Sequence, residues 1–161
     1  MNAAWTLSSS DGWDQVSGRV LRHWTDSRGD TLLLFEISIS GRFWQHDADD
    51  LGDLRDDFKC SLPQVITSRN KLKELLDSLN IWLSTPKSIR VGLCERGAQQ
   101  LWISFDVSED FICSMDRPVC EIRYAAERMP EARWNFLVDQ SCIRLLHDDL
   151  TRVLHAFNGK G

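Results

Sequence analysis

The sequence has little that would indicate a membrane protein, a secreted precursor or a disulfide scaffold. Its longest uninterrupted apolar run is four residues, Leu32 to Phe35, whereas a membrane-spanning helix needs about 20. No basic residue precedes an apolar run at the N-terminus, so a signal peptide is not expected. The five cysteines are an odd number without a C-x-x-C pair, which disfavours a zinc site and a secreted disulfide framework. We therefore expect a cytoplasmic protein with reduced thiols.

Motifs that carry known chemistry are also missing. The sequence contains no H-E-x-x-H, no G-x-S-x-G, no phosphate-binding glycine loop and no G-x-G-x-x-G, the patterns of metalloproteases, hydrolases and nucleotide-binding proteins. Two of the four histidines, His147 and His155, lie eight residues apart in the sequence, which does not match the spacing of a helical metal pair. We expect no catalytic residues, no metal and no cofactor, and hence a protein that is not an enzyme.

The size and composition predict one globular domain. The chain has 161 residues, of which 42% are hydrophobic and 27% charged, values that are ordinary for a soluble domain. Its formal net charge of −5 argues against nucleic acid or an anionic membrane as the partner. The expected organisation is therefore a single domain over residues 1–161 with a protein partner.

Hydrophobic patterning predicts an α+β fold with a mainly antiparallel sheet of about six to seven strands. Alternation of apolar and polar residues indicates strands over 15–25 and 31–40, joined by a hairpin loop that contains Gly29. A third strand over 58–65 contains Pro63, which favours an edge position. Apolar residues repeat with helical period over 68–83 and 140–157. Ser68 is the expected N-cap of the first helix, and Asp139 or Ser141 that of the second.

The most unusual stretch is HDADDLGDLRDD, from His46 to Asp57. It holds six aspartates and one arginine, so its formal charge equals the −5 of the whole chain. Closely spaced carboxylates repel one another, and a cationic partner relieves that repulsion. Three interpretations stay open, namely a solvated loop, a contact surface for a basic protein and a metal site.

The calcium interpretation fails in detail. Asp47, Asp49 and Gly52 match positions one, three and six of an EF-hand loop, but Leu51 and Phe58 stand where the remaining ligands belong. Helical flanks are not expected either. A divalent-cation site is therefore the least favoured of the three.

Seven tryptophans are many for this length. Trp44 immediately precedes the acidic segment, and Trp102 is in phase with polar positions of its strand, on the expected outer face of the sheet. Tryptophan is enriched in protein cores and also in interface hot spots. Packing and recognition therefore both remain possible for these two side chains.

The succession of segments resembles a known family in outline. The resemblance rests on the segments FEISISG, KCSLPQV, NIWL, RVGLCE, LWISFDV, CEIRYAAE and the C-terminal WNFLVDQSCIRLLHDDLTRVLHAF. Together they are similar to the immunity proteins of bacterial polymorphic and contact-dependent toxin systems, especially the wall-associated-protein (WapI-like) group. The resemblance implies a non-enzymatic cytoplasmic protein that binds one cognate toxin domain, often a nuclease, and blocks it.

Local chemistry, not the resemblance, supplies the candidate contact residues. Carboxylates of the acidic segment would attract a basic toxin surface, and an aromatic and an arginine would add packing and register. The candidates are Trp44, Asp47, Asp49, Asp50, Asp53, Arg55, Asp56 and Asp57. The alternative is a small-ligand or carbohydrate-binding module that uses exposed tryptophans as a stacking platform.

Overall fold

The computed structural model describes residues 3–45, 54–85, 87–94, 99–106, 119–126 and 129–158, with 42–45, 54–58 and 129–130 described by their backbone alone. Nine strands and two helices lie in these ranges. In chain order they are β1 (Ala4–Ser8), β2 (Gln15–Thr25), β3 (Thr31–Gln45), β4 (Leu54–Ser61), β5 (Val65–Ser68), α1 (Arg69–Ser84), β6 (Ile89–Gly92), β7 (Gln100–Asp106), β8 (Val119–Ala126), β9 (Met129–Leu137) and α2 (Gln140–Ala156).

The strands form two antiparallel sheets, which corrects the expectation of one sheet with six to seven strands. The first has the order β1-β2-β3-β4, with β5 also paired to β3, and the second has the order β6-β7-β8-β9. A backbone hydrogen bond of 2.8 Å from Ser10 N–H to the carbonyl of Leu137 links the two. The α+β class, the mainly antiparallel pairing and the two helices are as predicted.

Strands β4 and β5 replace the single strand predicted over 58–65. Both pair with the same side of β3. Strand β4 pairs with the β3 residues Ser38 to Gln45, and β5 pairs with the β3 residues Leu32 to Phe35. Pro63 lies in the interruption, where its missing N–H removes no ladder hydrogen bond, while Leu62 N–H still donates to Ile37. The apolar segment FICS at 111–114, for which the sequence also favours a short strand, lies outside the described residues.

The first helix forms as its sequence pattern predicts. Ser68 caps α1 by accepting a hydrogen bond from Lys71 N–H at 3.1 Å. Its apolar face buries Leu72, Leu75, Leu79 and Trp82.

The second helix starts at Asp139, whose carboxylate accepts from Cys142 N–H at 3.0 Å. The buried residues of its apolar face, Leu146 and Leu150 among them, join those of α1 and of both sheets in one hydrophobic cluster. Neither helix of the described chain combines the length and apolar character needed to cross a bilayer.

A polar contact fastens α2 to the edge of the first sheet. Thr6 N–H in β1 donates to the carboxylate of Asp149 at 3.0 Å, and Arg152 forms an ion pair with that same carboxylate. Strand β1, which the sequence analysis did not predict, therefore has an edge N–H covered by the helix.

Candidate functional site

The β3 and β4 strands continue past the rest of the first sheet as a two-stranded ribbon. Strand β2 pairs with β3 only as far as Ser40, opposite Gln15, whereas β3 and β4 remain paired from Gly41 and Phe58 to Gln45 and Leu54. Among the described residues nothing else pairs with this stretch, which we call the β3–β4 arm (residues 41–45 and 54–58). At about 3.3 Å per residue the arm is about 16 Å long.

The arm corrects the predicted boundaries of the acidic loop. Arg55, Asp56 and Asp57 lie in strand β4, not in a loop, and Trp44 lies in β3. The remaining candidates, Asp47, Asp49, Asp50 and Asp53, lie outside the described residues, in the 46–53 segment that connects the two strands. The boundaries were misplaced because a ribbon with no third strand has no requirement for one apolar face, so its sequence lacks the alternation that identified the other strands.

Register places two of the candidates directly opposite each other. Trp44 is the cross-strand partner of Arg55, and the pairs on either side are Phe43 with Asp56 and Gln45 with Leu54. Cross-strand partners are the closest neighbours in an antiparallel ribbon. Trp44 and Arg55, which the sequence analysis named separately as contact candidates, are thus neighbours in the strand register.

Charge is unevenly distributed along the arm. Its described strands carry Arg42 and Arg55 against Asp56 and Asp57, two positive and two negative charges that sum to zero. The four aspartates of the connecting segment are therefore not balanced by the arm that carries them. The net negative charge of residues 41–58 is therefore that of the segment 46–53 between the two strands in the sequence.

A second aromatic and cationic surface lies on the outer face of the second sheet. Trp102 is half-buried between the guanidinium groups of Arg90 and Arg123, whose Cζ atoms lie 4.6 and 5.9 Å from its ring centroid. Its cross-strand partner is Gly92, and a Cβ at that position would lie 3.3 Å from Trp102 Cδ1 and Nε1. The indole thus packs over the glycine, and the sequence prediction of an outer-face position is confirmed.

Ion pairs hold this surface in place. Arg123 pairs with Glu121 at 3.1 Å and with Glu131 at 2.8 Å, and Arg133 pairs with Glu131 at 3.2 Å. Arg90 is exposed and contacts the indole. The sequence analysis singled out Trp102 but missed Arg90. The signal in the sequence was Gly92, two residues after Arg90 in the same strand, since a glycine in a strand can mark the place where a large side chain packs.

The other described tryptophans do not line up as a platform. Trp5 and Trp82 are fully buried, Trp24 and Trp134 are half-buried, and Trp13 is 37% exposed. The ring of Trp102 is already covered by guanidinium groups. This arrangement gives no support to the carbohydrate-binding alternative among the side chains that the structure describes.

The described thiols are poorly suited to nucleophilic chemistry. Burial raises the pKa of Cys94 to about 11 and that of Cys120 well above its ordinary value, and it also raises the pKa of Cys60 and Cys142. These thiols are therefore protonated at neutral pH, whereas the thiolate is the reactive form. Cys113, which its spacing of seven residues makes a candidate cross-strand neighbour of Cys120 in the sequence, lies outside the described residues.

No cluster of three or more histidine, cysteine, aspartate or glutamate side chains suited to a metal occurs in the described part of the chain. The acidic segment, where a divalent cation was the least favoured interpretation, falls largely outside it.

Comparison with known proteins adds no assignment. No protein-family model matches this sequence, and no curated protein matches it significantly. The resemblance to toxin-immunity proteins therefore rests on the segments quoted above.

Proposed function

We propose that this protein is a cytoplasmic, non-catalytic immunity protein that binds and neutralises a cognate bacterial toxin domain, with the end of the β3–β4 arm as its principal contact. The observation that carries the proposal is the β3–β4 arm, whose two strands the acidic segment 46–53 joins in the chain. The paired strands that lead to it extend about 16 Å beyond β2, and they carry no net charge of their own.

Such a placement favours capture of a basic surface. Four unbalanced carboxylates within eight residues, 46–53, create a local negative potential that raises the encounter rate with a cationic partner. A toxin that cleaves nucleic acid has a basic substrate cleft, so the same field would direct the arm toward the site that must be blocked. Arg55 and Trp44, opposite each other in the ribbon, belong to the residue types that dominate binding energy at interfaces.

The test first reads the neighbouring open reading frame for a toxin-like domain, and then reverses the charge of the segment and measures association with that domain. Changing Asp49, Asp50 and Asp53 to lysine moves the formal net charge from −5 to +1, because each reversal adds two. We expect association to slow by roughly tenfold or more at low ionic strength, with the difference shrinking as salt shortens the Debye length to below about 8 Å.

A matched control separates the local field from the net charge. The triple variant Glu36→Lys, Glu74→Lys and Asp148→Lys makes the same change in net charge at three side chains outside the β3–β4 arm and its connecting segment. We expect it to bind nearly as fast as the unmodified protein. Equal effects of the two triple variants, unaltered kinetics in the first, or the lack of any toxin-like domain beside the gene would each contradict the proposal.

A further inference from the structure

A cleft with a volume of about 200 Å³ lies between the two helices, away from the β3–β4 arm. The helices run antiparallel there, since Arg69 at the start of α1 contacts Asn158 just after the end of α2. The lining residues repeat at intervals of three or four along each helix, which places them on facing sides. They include Arg69, Lys73, Leu76 and Asp77 from α1 and Leu154 and His155 from α2.

The lining combines an apolar base with unpaired basic groups. Leu154 is 7% exposed and Leu76 packs against the core cluster, so aliphatic surface is available between the helices. Lys73 and His155 form no hydrogen bond or ion pair with any other described residue. Both basic groups can therefore interact with a ligand without first breaking an internal contact.

Arg69 provides a third basic group with spare donors. One terminal nitrogen donates to Asn158 Oδ1 at 3.2 Å, while its Nε is buried and has no acceptor. Buried donors are rarely left unsatisfied in folded proteins. The contact with Asn158 fixes the guanidinium at one end of the cleft, one helical turn from Lys73.

We propose that this cleft binds a small amphiphilic monoanion, with its carboxylate near Arg69, Lys73 and His155 and a short alkyl body against Leu76 and Leu154. The volume is below the roughly 300 Å³ at which pockets begin to hold drug-sized molecules, so the ligand is small. Asp77 leaves the cleft with one net positive charge from its Arg, Lys and Asp side chains. That balance favours a monocarboxylate over a dianion such as phosphate.

Four probes separate the parts of this proposal in amide chemical-shift titrations of the full chain. Hexanoate supplies both the carboxylate and the alkyl body, acetate the charge alone, hexanol the alkyl body alone, and inorganic phosphate a doubly charged anion. We expect hexanoate to shift amides of residues 69–77 and 151–158 and to bind about tenfold or more tightly than each of the other three. Equal affinity for hexanol, tighter binding of phosphate, or no shift with hexanoate would overturn the proposal.

Charge variants test the placement of the carboxylate. Lys73→Glu should weaken hexanoate binding about tenfold or more, and Lys73→Gln should weaken it less. Arg144→Glu makes the same change in net charge on the exposed side of α2, about 16 Å from His155 along the helix axis, and should leave binding unchanged. The same affinity in Lys73→Glu as in the unmodified protein would contradict the site. Because Lys73 is exposed on α1, we expect the variant to fold, and its amide spectrum checks this directly.

Discussion

Each of the two sheets contains a glycine that makes room for a tryptophan on the neighbouring strand. Gly18 in β2 is the register partner of Trp5 in β1, and a Cβ at Gly18 would lie 2.5 Å from the Cε2 and Nε1 atoms of that indole. On the outer face of the second sheet, Gly92 and Trp102 form the equivalent pair with a longer approach of 3.3 Å. Glycine in a strand normally weakens it, and here the packed indole compensates.

The difference between the pairs predicts a difference between two alanine substitutions. Gly18→Ala should lower the free energy of unfolding by about 1–3 kcal/mol, because Trp5 is enclosed in the core and cannot move away from an added methyl group. Gly92→Ala should cost less than about 1 kcal/mol, since Trp102 is half-buried and alanine also restricts the unfolded chain. Urea denaturation of both variants measures this, and an equal loss in the two would contradict the packing argument.

Residue-level features were predictable where they depend on neighbours in the sequence. The cap at Ser68, the cap at Asp139 as one of two candidates, and the hairpin loop at Gly29 followed from local patterns, because a cap or a turn involves residues only a few positions apart. The contacts of Gly18 with Trp5 and of Arg90 with Trp102 depend on strand register. Register is decided by the burial of whole strands, so no local pattern identified them.

At the scale of elements, the start of α2 depends on one carboxylate. Hydrogen bonds donated by the Ser141 hydroxyl and by Cys142 N–H hold the pKa of Asp139 below its ordinary value of 3.8. A carboxyl group whose pKa is lower in the folded state stabilises the fold at pH values above the unfolded pKa. That contribution is lost as pH falls through the folded pKa.

Replacement by asparagine tests this linkage. Asparagine is also a good N-cap, so Asp139→Asn should retain most of the capping hydrogen bond while removing the titration. The gap in thermal midpoint between the two proteins should be full above about pH 5 and should begin to shrink near pH 4, where the carboxyl group of the unfolded chain protonates. It should close as the pH falls through the lower pKa of the folded protein. A gap that is independent of pH would show that the charge of Asp139 does not contribute. The variant Asp139→Ala measures the cap as a whole, and it should lower the free energy of unfolding by about 1 kcal/mol.

Among the elements, helices were easier to predict than the strands of the arm. Both helices bury one continuous stripe against the sheets, so their period is visible in the sequence, and their ends differ from the prediction by one residue or none. The arm and strand β1 had weaker signals, since β1 has only five residues and the arm is paired on one side. The candidate site was thus located along the chain but not assigned to a ribbon.

At the scale of the whole molecule, one hydrophobic cluster spans both sheets and both helices. It includes Ile37 from the first sheet, Ile103 and Ile122 from the second, Leu79 from α1 and Leu146 from α2, all at most 2% exposed. Elements that share one core lose their burial together when any of them separates. If residues 1–161 form a single domain as predicted, both sheets and both helices should therefore unfold together.

We expect one cooperative unfolding transition with coincident midpoints for far-ultraviolet circular dichroism and for tryptophan fluorescence, as in small two-state domains. Native-state hydrogen exchange supplies the sharper measurement, because amides of β3 and β7 should approach the same opening free energy although they belong to different sheets. Leu79→Ala should lower both by about 2–5 kcal/mol, since it leaves a cavity in the shared core. If the amides of β7 kept their protection while those of β3 lost it, the sheets would be independent units, and binding at the β3–β4 arm could then change the stability of one sheet without affecting the other.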